Sequence, residues 1–168
     1  MQNTAHLQAT KTISKLFIIR GLPGSGKTIT AKRLLLKHMV NSIHQTNNIN
    51  SKNIQVARQQ LLQLVRKDLK SNKSVAACDT FTELWEIIPL LKLAKQLYKP
   101  TTIIDLYDQN LTNLQLAQRD LYGVTQLQIS EMRHRWQTQQ QLMLPEYINY
   151  IYYTVGDGTT TRQPQHTH

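Results

Sequence analysis

Cysteine is almost missing from this chain of 168 residues. The single cysteine, Cys78, excludes an internal disulfide and a metal site built from several thiolates. It lies within an apolar run, which favours a buried, unreactive thiol over a nucleophile. Long hydrophobic runs are missing as well, since no segment approaches the roughly 18 apolar residues of a membrane-spanning helix. Residues 1–12 are polar and lack the apolar core of a signal peptide, so we expect a cytoplasmic protein.

Acidic residues are scarce, because ten Asp and Glu face twenty Lys and Arg and leave a formal net charge of +10. Such an excess favours a polyanionic partner, above all nucleic acid. A solvated basic surface that only attracts a nucleotide is the alternative interpretation. No carboxylate occurs before Asp68 in the sequence.

A glycine-rich turn lies between an apolar run and a segment with helical spacing. Residues 21–28 fit the pattern G-x-x-x-x-G-K-[ST], in the strand–turn–helix context that a P-loop requires. Its glycines bring backbone N–H groups close to phosphate oxygens, and the positive end of the next helix faces the same anion. We expect Lys27 to reach the β- and γ-phosphates of ATP, and the Thr28 hydroxyl to bind Mg²⁺. The predicted nucleotide contacts are Gly21, Leu22, Pro23, Gly24, Ser25, Gly26, Lys27 and Thr28.

The rest of the chain alternates short apolar runs with helical spacing. This alternation predicts a single α/β domain, with a mostly parallel sheet covered by helices on both faces. Residues 41–53 are polar and rich in asparagine, and are predicted to form a loop. The predicted strands are 15–20, 74–79, 101–107 and 147–155, and the predicted helices are 26–40, 54–70, 84–97, 111–119 and 126–142. The domain is predicted at 14–155, between a flexible N-terminus at 1–13 and a disordered tail at 156–168.

Two of these helices have a predicted buried face. The P-loop helix would bury Ile29, Leu34, Leu35 and Met39. The helix at 84–97 would start from a capping box at Thr80–Glu83 and end before Pro100. Its predicted core residues are Leu84, Trp85, Ile88, Leu91, Ala94 and Leu97.

Carboxylates follow two of the predicted strands. Ligands bind at the carboxyl ends of the strands in parallel sheets, and both Asp79 and the region from Asp105 to Asp108 fall there. We favour a functional role for Asp79 over a charge that only caps the next helix. For Asp105 and Asp108 a solvated turn is the favoured interpretation.

Basic and aromatic clusters near the C-terminus have two interpretations each. Arg133, His134 and Arg135 could contact nucleic-acid phosphates, whereas the neighbouring Trp136 is predicted to lie in the core. The tyrosines of the last strand could stack on bases, but packing on the sheet is favoured. These tyrosines are Tyr147, Tyr150, Tyr152 and Tyr153.

Three segments share the order and pattern of one family. Residues 16–28 read LFIIRGLPGSGKT, residues 79–86 read DTFTELWE, and residues 119–124 read RDLYGV. The last segment is followed by Ile129, Met132, Arg135 and Trp136. Over roughly residues 15–137 the chain thus resembles the small P-loop kinases related to phage polynucleotide 5′-kinase, an AAA-type, zeta-toxin-like ATP-binding kinase domain. The matching patterns are D-x-T-x…W-E and the lid pattern R-N-x-H-G-V-P…I-x-x-M-x-x-R-W.

The resemblance implies transfer of the γ-phosphate of ATP to the 5′-hydroxyl of a nucleic acid. It assigns Lys27 and Thr28 to the phosphates and Mg²⁺, and places Asp79 near the acceptor hydroxyl. Arg119 would be the lid arginine that meets the transferring phosphoryl group, where charge stabilisation dominates the chemistry. The implied catalytic residues are Lys27, Asp79 and Arg119.

The chain departs from the family at the acidic motif that ends its second strand. The corresponding stretch, residues 40–45, holds no Asp or Glu, so the usual general base is missing. His44 could replace it by position, although a loop residue without function is the favoured interpretation. The lid also differs, with Asp120, Tyr122 and Thr125 in place of Asn, His and Pro. A nucleotide-binding module without catalysis and a small-molecule kinase therefore remain alternative functions.

Overall fold

The structure is a computed structural model, and it describes residues 12–49 and 52–155. The predicted disordered tail at 156–168 and most of the predicted flexible N-terminus at 1–13 lie outside the described residues. Within the described residues, no helix is long and apolar enough to cross a membrane.

Five parallel strands form one sheet in the order β2-β3-β1-β4-β5. The strands are β1 (Leu16–Gly21), β2 (Ser42–Gln45), β3 (Val75–Asp79), β4 (Thr101–Tyr107) and β5 (Asn149–Tyr152). The helices are α1 (Lys27–Leu36), α2 (Ile54–Lys70), α3 (Leu84–Gln96), α4 (Asn113–Arg119), α5 (Gln126–His134) and α6 (Gln139–Leu142). A single 3₁₀ turn at Thr46–Asn48 follows β2. The predicted α/β fold with a mostly parallel sheet is confirmed.

Both faces of the sheet are buried, which explains why β1 reads as a continuous apolar run. Leu16 and Ile18 face a cluster that α2 and α3 complete. Phe17 and Ile19 face the opposite side, where α1 packs. A third cluster lies beyond the carboxyl end of the sheet and joins the P-loop to α4 and α5; it consists of Leu22, Leu116, Ile129 and Trp136.

The predicted loop at 41–53 is wrong in its first part, because residues 42–45 form the edge strand β2. This strand is short and mostly polar. Ser42 and His44 point to the same carboxylate, that of Asp68 on α2, with separations of 2.7 and 2.8 Å. The polar side chains of β2 form hydrogen bonds with α2, so the strand contains no apolar run. The hydrophobic pattern of the sequence therefore could not reveal it.

The predicted helix at 126–142 is interrupted between α5 and α6. The backbone N–H of Gln137 there donates to the Thr82 carbonyl at 2.8 Å instead of to a helical partner. Thr138 then caps α6 through the amide of Gln141. The last strand is also shorter than predicted, at 149–152.

The buried faces of α1 and α3 differ from the prediction. In α1 the buried residues are Thr30, Ala31 and Leu34, while Ile29, Leu35 and Met39 are exposed. In α3 the cap is Glu83, whose N–H donates to Glu86, so the helix starts later than the predicted box at Thr80–Glu83. The buried residues of α3 are Glu86, Ile87, Leu90, Leu93 and Ala94, and Trp85 is 51% exposed. The prediction holds for Ala94, and Leu84, Leu91 and Leu97 are partly buried and pack against the core.

Candidate active site

A cleft of about 380 Å³ opens at the carboxyl end of the sheet. Among the predicted site residues, Lys27, Thr28, Asp79 and Arg119 line it together with part of the P-loop. The P-loop, the ends of β2 and β3, and the α4–α5 connection each contribute one wall. Other lining residues are Pro23, Gly24, Gly26, Gln45, Asn47, Ile54, Thr80, Asp120 and Tyr122.

The P-loop backbone has the conformation that its glycines allow. Gly24 and Gly26 have φ values of 78° and 100°, which residues with a side chain rarely adopt. A Cβ at Gly24 would also collide with the carbonyl oxygen of Leu116 on α4. The loop leads directly into α1, whose first four N–H groups have no partner within the helix. This concave backbone beside a helix N-terminus fits a phosphate group.

Lys27 crosses the loop from the first turn of α1. Its Nζ donates to the carbonyl oxygens of Gly21 and Leu22, at 2.9 and 3.1 Å. Burial lowers the pKa of Lys27, and the nearby Asp79 carboxylate opposes this effect. An ammonium group with little water around it gains strongly from a phosphate charge. Lys27 and the loop therefore fit the phosphates of a nucleotide.

Thr28 is held at the opposite wall by the end of β2. Its hydroxyl donates to the side-chain oxygen of Gln45 at 2.8 Å. Asn47, two residues further, also lines the cleft. The end of β2 thus presents amide oxygens where the resembling family has carboxylates. Thr28 and these oxygens are suitable ligands for Mg²⁺, although amides bring no negative charge to it.

His44 does not reach the cleft. It lies on β2, and its Nε2 contacts the Asp68 carboxylate instead. Burial raises the pKa of Asp68, but the hydrogen bonds from Ser42 and His44, together with the charges of His44 and Lys73, more than compensate, so the pKa is lowered overall. His44 therefore has a structural contact outside the cleft, as the favoured interpretation of a residue without catalytic function predicted.

Asp79 ends β3, which pairs with the P-loop strand β1, and it therefore lies at the carboxyl edge of the sheet as predicted. One carboxylate oxygen accepts the N–H and hydroxyl of Thr80, at 2.7 and 3.2 Å. The other accepts Nε of Arg58 at 2.9 Å. Three donors fix the orientation of the carboxylate.

Arg58, on α2, is a site residue that the sequence did not single out. Besides Asp79 it binds Glu86 at 3.0 Å, and its guanidinium lies 5.5 Å from the ring centre of Trp85. Arg58 therefore ties α2 to the end of β3 and the start of α3. Its position on a helix with several other basic residues gave no signal that distinguished it.

The segment predicted to form a lid comprises α4, α5 and the connection at 120–125. Arg119 is exposed at the end of α4 and faces the cleft. Asp120 accepts the N–H groups of Tyr122 and Val124, at 3.0 and 2.9 Å. An Asp in place of the family's Asn therefore still shapes this turn.

Arg20 is a fully buried cation directly before the P-loop. Its guanidinium donates to the carbonyl oxygens of Phe81 and Gln137, at 3.0 and 2.9 Å, and to the Tyr150 hydroxyl at 2.9 Å. It also lies 3.7 Å from the Asp105 carboxylate. One side chain thus joins β1 to the β3–α3 turn, the α5–α6 connection, β4 and β5.

The contacts of Arg20 correct the interpretation of Asp105 as a solvated turn. Asp105 is buried and accepts a hydrogen bond from Tyr150. Burial raises the pKa of Asp105, while the charge of Arg20 lowers it in part. Burial also raises the pKa of Tyr150, which is therefore a neutral donor. Tyr150 packs on the sheet, as the favoured interpretation predicted, and does not form a stacking surface.

The remaining candidates also have structural partners. Arg133 binds Asp108 and the side chain of Asn113, which joins α5 to the segment after β4, so Asp108 is not a free turn residue. Trp136 is buried as predicted, 3.9 Å from the guanidinium of Arg20.

Most of the remaining basic and aromatic side chains near the C-terminus are exposed. His134 and Arg135 are exposed, and Arg135 also donates to the Thr82 hydroxyl at 3.3 Å. Tyr153 is partly buried against the cluster of α1, while Tyr147 and Tyr152 are exposed. Cys78 is buried as predicted, and burial raises the pKa of its thiol to about 12.

Comparison with known proteins gives a result at the level of fold. No protein-family model matches the chain, and no curated protein matches its sequence. Kti12 of Chaetomium thermophilum, solved with ADP-AlF3, is 14% identical over 84% of this chain and 90% of its own, with a TM-score of 0.62. A putative kinase from Chloroflexus aurantiacus is 13% identical over 88% and 92%, also with a TM-score of 0.62. A fungal RNA kinase is 15% identical over 90% of this chain and 41% of its own, with a TM-score of 0.57. The chain therefore has the single-domain α/β fold of the P-loop kinases.

Proposed function

We propose that the protein is an ATP-dependent phosphotransferase that acts on the 5′-hydroxyl of a nucleic acid. The observation that carries this proposal is the arrangement of one cleft, in which Lys27 and Thr28 lie at the P-loop, Arg119 on the lid and Asp79 between them. Two cations and a fixed carboxylate around one space suit a reaction whose catalysis is mainly positioning and charge stabilisation.

Each residue has a distinct task in this reaction. In the transfer, the acceptor oxygen forms a bond to the γ-phosphorus, the bond to the β-phosphate oxygen breaks, and ADP leaves. Lys27 neutralises the β- and γ-phosphate oxygens, and Arg119 stabilises the charge on the transferring group. Thr28 and Gln45 would hold Mg²⁺, which supplies further charge neutralisation between the two phosphates when bound.

Asp79 would orient the acceptor rather than deprotonate it strongly. Its oxygens already accept three hydrogen bonds, so the proton of the acceptor hydroxyl passes to it late or leaves through water. Loss of a general base typically costs about 10²–10⁴-fold in rate, which slows transfer without abolishing it. We therefore expect slow turnover.

The nucleic-acid acceptor rests on the resemblance of the three sequence segments and on two similar structures. One is the fungal RNA kinase, and the other belongs to the Pnkp1/Rnl/Hen1 RNA repair complex, 17% identical with a TM-score of 0.57. Shikimate kinase from Acinetobacter baumannii has a comparable TM-score of 0.55, so a small acceptor is the competing substrate class.

A second candidate function is nucleotide binding without transfer. The hydrogen bond from Thr28 to Gln45 favours it, because an amide has replaced the charged group at the end of β2. Such a protein would bind ATP and fail to label any acceptor.

One experiment separates these functions. The protein is incubated with γ-labelled ATP, Mg²⁺ and either 5′-hydroxyl DNA and RNA oligonucleotides or small acceptors such as shikimate and gluconate. Labelled 5′ ends that disappear in the Lys27→Ala variant support the proposal. Label only on a small acceptor supports the competing class, and ATP binding without any label supports the non-catalytic module.

A further inference from the structure

The positive charge of the chain is concentrated on the side of the sheet opposite the cleft. There α1, α2 and α3 end, and β1, β3 and β4 begin. We call this side the amino edge, and define it by seven lysines: Lys15, Lys37, Lys67, Lys70, Lys73, Lys95 and Lys99. Six of them are exposed, and Lys99 is half-buried with its Nζ on Asn72 at 3.2 Å.

Few carboxylates balance these lysines. Among the described residues, only Asp68 and Glu146 lie on this side. Asp68 is occupied by Ser42 and His44, and Glu146 precedes β5 at the far end of the sheet. None of the seven lysines forms an ion pair with a described carboxylate. Lys73 interacts with the charge of Asp68, and the other lysines leave the amino edge with an excess of positive charge.

Stabilisation of helix ends explains only part of this pattern. Lysines in the last turn of a helix interact favourably with its dipole, which accounts for Lys67, Lys70 and Lys95. Lys15, Lys73 and Lys99 instead lie in the segments that lead into strands. The edge from β2 to β4 is about 14 Å wide, from three strand spacings of about 4.8 Å, so these cations act on one surface.

An exposed aromatic ring lies within the same surface. Tyr98 is 90% exposed, between Lys95 and Lys99, and its φ of 53° turns it out of the end of α3. A flat ring among cations provides base stacking beside phosphate contacts, the combination by which proteins bind single strands without sequence preference.

We propose that the amino edge is a binding site for single-stranded nucleic acid, separate from the cleft. Its lysines contact phosphates and Tyr98 stacks on a base. A membrane surface is disfavoured because α1, α2 and α3 meet this edge end-on, so none of them lies flat there with an apolar face to insert beside the lysines. The site does not depend on phosphate transfer.

The test uses a labelled single-stranded RNA of about 20 nucleotides, longer than the roughly 4–16 that one binding module covers. The RNA carries a 5′-phosphate and ATP is omitted, so it cannot serve as an acceptor. Binding is measured over a salt series for the parent and two triple variants. The edge variant is Lys37→Gln, Lys70→Gln and Lys73→Gln, and the control is Lys32→Gln, Lys52→Gln and Lys92→Gln. Both variants lose three charges from exposed positions.

We expect the edge variant to bind more than about tenfold more weakly than the parent, and its salt slope to fall by about 2, at roughly 0.7 per phosphate contact. The control should retain most of the parent's affinity. Tyr98→Ala should weaken binding by about fivefold or more, and Tyr98→Phe should restore it. Thermal melting of each variant verifies the fold.

Three results would overturn the proposal. Equal or greater loss in the control would place the contacts elsewhere, and unchanged binding in the edge variant would remove the lysines from the site. Binding to vesicles of anionic phospholipid without binding to RNA would make the edge a membrane surface.

Discussion

At the carboxyl edge of the sheet, Arg20 and Arg58 have carboxylate partners, whereas the lysines of the amino edge have almost none. Arg20 pairs with Asp105, and Arg58 with Asp79 and Glu86. The net charge of +10 is therefore not a property of the cleft. Composition indicated a polyanionic partner, and the structure separates the place where it would bind from the place where phosphate would be transferred.

The largest expected effect of this difference is on stability. Arg20→Met should lower the free energy of unfolding by about 3–5 kcal/mol, because the carboxylate of Asp105 would stay buried without its cation. Lys70→Met should change it by less than about 0.5 kcal/mol, since the lysine is exposed. Urea denaturation of both variants measures the contrast. Similar losses in the two variants would show that the edges do not differ in this way.

Nucleotide binding should depend on the carboxyl edge alone. We expect ATP with Mg²⁺ to raise the melting temperature of the parent, since a ligand at 100 times its dissociation constant stabilises by about 2.7 kcal/mol. Lys27→Ala should remove most of this shift, and Lys37→Ala, at the other end of α1, should preserve it. An unchanged melting temperature of the parent protein at millimolar ATP would contradict the nucleotide assignment.

Catalysis should distinguish residues within the carboxyl edge. If the parent transfers phosphate, Asp79→Asn and Arg119→Ala should each lower the rate at least about tenfold, or 1.4 kcal/mol in transition-state stabilisation. Arg119→Ala should leave ATP affinity nearly unchanged, because a lid arginine acts on charge that develops during transfer. Steady-state rates and ATP affinities provide the measurement. Our assignment fails if neither change affects the rate of an active parent.

Arg58 should act through Asp79. Arg58→Gln removes the donor that fixes the carboxylate and should lower the transfer rate more than it changes ATP affinity. Arg66→Gln, on the same helix, is the matched control and should have little effect. Equal rates in the two variants would reduce Arg58 to a structural residue.

The smallest effect is expected at Asp68, the carboxylate of the amino edge that is hydrogen-bonded to Ser42 and His44. The pKa of Asp68 is below its ordinary value of 3.8, so its ionised form stabilises the fold above that range. Asp68→Asn should cost about 1 kcal/mol at neutral pH, in line with hydrogen bonds to a charged group near the surface. This difference should shrink as the pH falls through the folded-state pKa. Denaturation at neutral and acidic pH checks it, and a difference that grows in acid would contradict the prediction.

The sequence predicted the features that depend on neighbouring residues. The P-loop, the parallel sheet and the position of Asp79 at the carboxyl end of a strand follow from local motifs and from the alternation of strands and helices. Strand β2 was missed because its side chains are satisfied by α2 rather than by burial in an apolar core. Asp105 was misjudged because its partner, Arg20, lies 85 positions earlier in the chain, and no local pattern records such a pairing.

The sequence also did not show that the lysines of the amino edge lie on one side of the sheet. The seven lysines are scattered between residues 15 and 99, and only the topology brings the helix ends and strand starts to one side. Arg58 shows the same limit at the scale of a single residue. Among the basic residues of α2 it alone turns toward Asp79, a choice that depends on how the helix is rotated against the sheet.

The buried guanidinium of Arg20 has a consequence for how the molecule opens. Its N–H groups donate to the turn at 81–82, to residue 137 and to β5. Local opening of any one of these segments would therefore leave a charged donor buried without its acceptor. Segments coupled in this way exchange their amide hydrogens as a single cooperative unit. We therefore expect the amide hydrogens around Trp136 and Gln137, at the base of the lid, to exchange as slowly as those of the core.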